Sequence, residues 1–107
     1  MVDRSQLMRG TLEGCIIKII NKEETYGYEI VSRLQEYGFY DVKEGTIYPI
    51  LVRLEKKKII SSIYKKSLLG PKRKYYFLTN SGKEFLEEFV VVWNEVVKSV
   101  DKVLKGE

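Results

Sequence analysis

The sequence predicts a mainly α fold with one small β-hairpin and a long C-terminal helix. Three observations carry this. Apolar residues recur at three- and four-residue steps on both sides of the middle of the chain; a β-branched and aromatic stretch interrupts that rhythm between residues 59 and 79; and the positive charge lies in the same central third. Residues 43–78 hold ten Lys/Arg against two Asp/Glu, whereas 1–42 (five against seven) and 79–107 (four against six) are each slightly acidic. A chain that segregates its cations in this way, within a net charge of +4, faces a polyanion with one part of its surface.

Composition bounds the rest. At 107 residues the chain is long enough for one modest core, and a partner subunit would help to complete it. The single cysteine, Cys15, sits in the apolar run CIIKII, which excludes a disulfide framework and points to a reducing compartment. No histidine is present, so the commonest general base and metal ligand are both missing; no nucleophile and base pair suggests itself, and neither enzyme activity, cofactor nor metal is expected. No window is long enough to span a membrane, and MVDRSQLMRG lacks the apolar core of a signal peptide, so a cytoplasmic protein is expected.

The first helix is expected over 7–20, LMRGTLEGCIIKII, with Leu12, Ile16, Ile19 and Ile20 inward. Gly14 in its middle costs roughly 1 kcal/mol of helix propensity, which close packing of another helix, or room for a ligand, must justify. Thr25 is the expected cap of a second helix, TYGYEIVSRLQEYG, which buries Ile30, Val31 and Leu34 and stops at Gly38. Residues 39–42 form a brief extended link. The third helix lies within KEGTIYPILVRLEKKK, residues 43–58. Ile47, Ile50, Leu51 and Leu54 make one apolar stripe, leaving Thr46, Tyr48, Val52, Arg53, Lys56 and Lys57 on the other faces. Thr46 as N-cap places Pro49 third, where no N–H is needed; a start at Glu44, bent near Gly45, is the alternative. Either start offers an exposed first turn suited to a phosphate, although Glu44 opposes it. Helix, helix, connector and basic helix together make a helix-turn-helix.

Next come two strands, IISSIYKK and RKYYFLT, flanking a Gly-Pro turn in LLGPK, with Ile63, Tyr75 and Phe77 expected toward the helices. Lys65, Lys66, Lys72, Arg73 and Lys74 crowd its tip. A hairpin with a cationic end directly after a basic helix is a wing placed to straddle a phosphate backbone. From Thr79 to about Leu104 the chain is helical. Leu86, Val90, Trp93, Val97, Val100 and Leu104 keep the 3.5-residue repeat of a pairing seam, and Phe85, Phe89, Val92, Val96 and Val103 form a second stripe beside it. Two stripes need two surfaces, which predicts a twofold homodimer. The organisation expected is therefore a winged helix-turn-helix domain over 1–78 and a dimerisation helix over 79–107.

The partner expected is double-stranded DNA. Thr46 and Tyr48 are placed at bases or adjacent backbone, Lys43 and Arg53 at phosphate or guanine, and Lys65, Lys66, Lys72, Arg73 and Lys74 at phosphates. The rival is a winged-helix module that binds protein and neither DNA nor a ligand; it predicts dispersed cations.

RGTLE at 9–13, YGYEI at 26–30, EGTIYPILVRLE at 44–55, GPKRKYYFLT at 70–79 and SGKEFL at 81–86 resemble, in order and spacing over nearly the whole chain, the short PadR-family transcriptional regulators. The resemblance implies a dimeric winged helix that represses a nearby operon from a palindromic operator, with release by a small aromatic or hydrophobic effector in some members. Trp93 matches the position whose ring stacks on flat compounds in the drug-sensing branch, and Gly14, Ile17 and Val97 complete the effector site expected around it. The chain departs from the family pattern at Lys43, where a capping serine is usual, and at Gly14, where a larger apolar residue is commoner.

Overall fold

The computed structural model describes residues 1–67 and 69–106. In chain order it contains α1 (Arg4–Met8), a 3₁₀ turn (Arg9–Thr11), α2 (Leu12–Lys22), β1 (Thr25–Tyr26), α3 (Gly27–Glu36), α4 (Glu44–Lys56), β2 (Ile60–Ser67), β3 (Gly70–Leu78) and α5 (Asn80–Lys105). The mainly α fold with a small antiparallel wing and a long C-terminal helix is as the sequence predicts.

The first helix is broken where a continuous one is expected. Asp3 caps α1 by accepting from the Gln6 N–H at 3.2 Å. The Thr11 hydroxyl then donates to the Met8 carbonyl at 2.7 Å, and this side-chain bond favours the tighter turn that separates α1 from α2. In α2 the expected Leu12, Ile16, Ile19 and Ile20 are buried, and so is Ile17, because the helix is covered by α3, α5 and the sheet. Cys15 packs against this core, and burial pushes its thiol pKa up.

Thr25 does not cap α3. It lies in β1, fully buried, and its hydroxyl donates to Glu29 Oε1 at 2.5 Å, while Tyr26 occupies the cap position. The extended segment has joined the open edge of β3, with Thr25 opposite Tyr76 and Tyr26 opposite Tyr75, so the hairpin is completed to a three-stranded sheet in the order β1-β3-β2. The sheet's facing is the reverse of that expected. Tyr76 and Ile60 are buried, whereas Ile63 and Phe77 are exposed. Ser62 opposes Tyr76 and Ile63 opposes Tyr75, so choosing the other alternating set inverts every side chain. Gly70 and Pro71 belong to β3 and not to the turn. Ser67 pairs with Gly70 but Lys65 with Arg73, so one extra residue is bulged on β3 beside Pro71, which has no N–H to give to the ladder. Leu68, within the expected turn, lies outside the described residues.

Two helices end in the same motif with different residues. At the end of α3 the Gly38 N–H donates to the Gln35 carbonyl and the Phe39 N–H to that of Leu34, with Gly38 at φ +112°. At the end of α4 the Lys58 N–H donates to Glu55 and the Ile59 N–H to Leu54, with Lys58 at φ +62°. Both are Schellman caps, which require a left-handed residue. Lysine tolerates that conformation poorly. Lys58→Gly is expected to stabilise the fold by roughly 0.5–1 kcal/mol, read from the urea midpoint at unchanged m value. An unchanged or lower midpoint counts against strain at this cap.

Helix α5 begins inside the core and leaves it. Thr79 accepts from the Gly82 N–H at 3.0 Å; Gly82 and Leu86 are buried, and Phe85 packs on the same cluster. Farther along, Val90, Val92, Trp93, Val96, Val100, Val103 and Leu104 are all exposed. The helix ends at Gly106, which is left-handed at φ +72°. Among the described residues, no helix is long and apolar enough to cross a membrane.

Candidate nucleic-acid interface

The geometry of α4 follows from its apolar stripe. Ile47, Leu51 and Leu54 are fully buried and Ile50 packs beside them, which turns Thr46, Tyr48, Val52 and Arg53 outward. Lys43 is the N-cap, so the helix starts at Glu44 and Thr46 does not cap it. Val42 precedes the cap and Ile47 is the fourth helical residue; both lie in the core, and such a staple sets the entry of the chain. Pro49 is then the sixth helical residue. The first turn is exposed, as expected, and Gly45 has open space around it. The connector before α4 is a turn, closed by the Val42 N–H donating to the Phe39 carbonyl at 3.2 Å, where a short extended link is expected from composition.

Tyr48 owes its place to a residue that the sequence does not flag. A Cβ on Gly27 would lie 2.6 Å from the Tyr48 ring, so the absence of a side chain at the start of α3 lets the ring cross between the two helices. Tyr48 as a whole remains 41% exposed. Burial, and then the charge of Glu44, push the phenol pKa up.

The cations of α4 and the wing fall into two groups. Arg53 donates through Nε and Nη2 to Glu13 Oε1, at 3.0 and 2.7 Å. Lys65 is paired with Glu24 at 2.6 Å and Lys74 with Glu55 at 2.9 Å. The Ser62 hydroxyl donates to the other oxygen of Glu55 at 2.6 Å; with Lys74 it holds that carboxyl below the usual range, and the same contact raises Lys74. Arg73 lies over the Tyr26 ring, 4.5 Å from its centroid, and Tyr26 meets Tyr75 edge to face at 5.5 Å. By contrast, Lys43, Lys66 and Lys72 are exposed, and none has an ion pair among the described residues. Strand alternation puts Lys65 and Arg73 on one face of the wing and Lys74 on the other. The expected DNA-binding residues thus lie on α4, its N-cap and both faces of the hairpin, and Arg53, Lys65 and Lys74 already have anionic partners.

The four residues of the expected effector site are placed differently from one another. Gly14 accommodates Phe89, whose ring would be 2.2 Å from a Cβ there, so close packing accounts for this glycine. Ile17 is fully buried, Val97 half-buried and Trp93 44% exposed. At the other end of the chain, Arg4 donates to the Gly38 carbonyl at 3.2 Å and Ser5 to Asp41 at 3.1 Å, tying α1 to the connector that leads into α4. No sequence spacing announces hydrogen bonds across so long a separation.

Comparison with known proteins agrees with this architecture. Residues 16–88 match the model of the transcriptional regulator PadR-like family. A PadR-like transcriptional regulator from Bacillus cereus strain ATCC 14579 is 51% identical with a TM-score of 0.87, over 96% of this chain and all of that one. The negative transcriptional regulator PadR of Bacillus subtilis (strain 168) is 30% identical over 93 residues, 83% of this chain and 50% of that protein. The Bacillus subtilis PadR structure in complex with operator DNA superposes with a TM-score of 0.69 at 31% identity, covering 78% of this chain and 48% of that one. The chain therefore spans about half the length of that relative.

Proposed function

The chain belongs to the PadR-like family of transcriptional regulators, and from that premise we propose that it is a repressor which binds a palindromic operator as a twofold dimer. The observation that carries this is the meeting of an outward-facing α4 with a cationic wing, in a fold that a relative solved with operator DNA shares. In the proposal Thr46, Tyr48 and the first turn of α4 enter the major groove, Lys43, Lys66, Lys72 and Arg73 take phosphates directly, and Arg53, Lys65 and Lys74 reach DNA by leaving their carboxylate partners. Residues 79–107 form the dimerisation element, and the exposed apolar length of α5 beyond Phe89 supports this, because a monomer leaves it in water. Trp93 and Val97 lie on that length, so an aromatic effector would enter between the two subunits, reaching Gly14 only by displacing the Phe89 ring and leaving Ile17 within the core. The site of action is the cytoplasm.

Footprinting on the DNA upstream of the chain's own gene is the direct test. The expected result is a protected region with twofold sequence symmetry, its half-sites about one helical turn or a multiple apart. Sedimentation at micromolar concentration is expected to give twice the chain mass, and Val96→Asp with Val100→Asp to give the single mass. Absence of any gel shift at low salt would favour the protein-interaction module, a reading that gains some support from the pairing of Arg53, Lys65 and Lys74 with carboxylates. For the effector, flat aromatic compounds are expected to quench the fluorescence of Trp93, the sole tryptophan. A diverse panel without effect would leave this residue to interface packing.

A further inference from the structure

We propose that Glu13, Glu24 and Glu55 stand in for DNA phosphates in the free protein and thereby set its affinity for duplex; this rests on the DNA-binding reading above. Each carboxylate holds one cation of α4 or the wing: Glu13 holds Arg53 at 2.7 Å, Glu24 holds Lys65 at 2.6 Å and Glu55 holds Lys74 at 2.9 Å. None is a neighbouring-turn pair within one helix. Glu13 reaches from α2 to α4, Glu24 from the segment before β1 to β2, and Glu55 from α4 to β3. The six side chains are between 29% and 52% exposed, a range in which ion pairs add little to folding stability. Their positions matter more than their strength, since they fall on cations of the most basic third of the chain.

A carboxylate and a phosphodiester each offer a cation one negative charge on oxygen, at similar hydrogen-bonding distance. Binding at these three places is therefore an exchange of acceptors, in which the number of charge-assisted bonds stays constant and the released carboxylate is left facing a polyanion. The electrostatic part of DNA affinity is reduced accordingly. Lys43, Lys66 and Lys72, without such partners among the described residues, carry most of what is left.

The test is to measure binding across a salt series for Glu13→Gln, Glu24→Gln, Glu55→Gln and the triple variant, on both random-sequence and upstream duplex. Glutamine keeps the size and an oxygen acceptor, so Ser62 can still donate at position 55. Glu36→Gln, at an exposed position at the end of α3 with no ion pair among the described residues, adds the same charge without freeing a cation and serves as control. Each single variant is expected to bind about 1.5- to 5-fold more tightly at low salt, and its log-log salt slope to steepen by up to about 0.9. Glu36→Gln should leave the slope unchanged. Glu55→Gln with Lys74→Gln should return to the wild-type slope, which ties the gain to the released lysine. The proposal is overturned if the triple variant binds no more tightly than wild type, or if Glu36→Gln matches the three. A wild-type chain that retains no duplex at low salt overturns the DNA-binding reading itself, and this inference with it.

Discussion

Gly82→Ala is expected to destabilise the protein by about 1–3 kcal/mol, although alanine is the better helix former by roughly 0.8–1 kcal/mol. A Cβ at this position would lie 2.1 Å from the backbone carbonyl oxygen of Ile59, a group with no rotamer to change. That same oxygen accepts from the Thr79 N–H at 3.2 Å, and the Thr79 hydroxyl, which accepts from the Gly82 N–H, donates to the Lys58 carbonyl at 2.6 Å. Pushing α5 away therefore disturbs the cap that begins it, worth about 1 kcal/mol, as well as the packing. Because α4 ends at this junction and α5 begins there, the loss is expected to be cooperative, with a Tm lower by about 5–20 °C. Gly45→Ala is the matched control: nothing lies within 4 Å of its Cβ, and it should be neutral or stabilising. If both glycines respond alike in urea denaturation, helix propensity and not the Ile59 carbonyl governs the site.

Replacing Lys43, Lys66 and Lys72 together by alanine is expected to make the log-log salt slope of DNA binding shallower by about 2.7, at about 0.9 for each phosphate that is no longer neutralised. At 0.1 M salt this amounts to a 10²- to 10³-fold loss of affinity, similar for operator and random duplex, because phosphates carry no base information. Folding should be almost untouched, since all three side chains are exposed and surface substitutions usually stay within about 0.5 kcal/mol. Tyr48→Phe supplies the contrast: its effect should fall on operator affinity with the slope nearly constant. A triple variant whose slope equals that of wild type would place the duplex elsewhere on the molecule.

Much of the fold was legible because burial imposes periodicity. The stripes Leu12–Ile16–Ile19–Ile20, Ile30–Val31–Leu34 and Ile47–Ile50–Leu51–Leu54 are buried as their spacing requires, except that Ile50 is only partly covered. Where the sequence offered two periodic solutions it misled. In the hairpin the two alternating sets are both rich in aromatic and β-branched residues, and the choice fell to Tyr76 and Ile60 because they meet α2 and α4. Thr25 carries the chemistry of a cap, yet an open strand edge is a non-local partner that no local pattern announces. The start of α4 turned on Val42 and Ile47 flanking Lys43, a staple outweighed in the sequence by the more obvious Thr46.

Composition and periodicity by themselves determined that this chain is a helix-turn-helix with a wing and a long C-terminal helix carrying two apolar stripes, and that its cations are massed in the middle third. Both properties add up along the chain, so they survive without coordinates. Which cations remain available was decided only by the tertiary structure, since Glu13, Glu24 and Glu55 reach theirs across separate elements of the fold. So were the roles of Gly14, Gly27 and Gly82, each admitting one particular neighbour, Phe89, Tyr48 or the Ile59 carbonyl, into space where a side chain would otherwise stand.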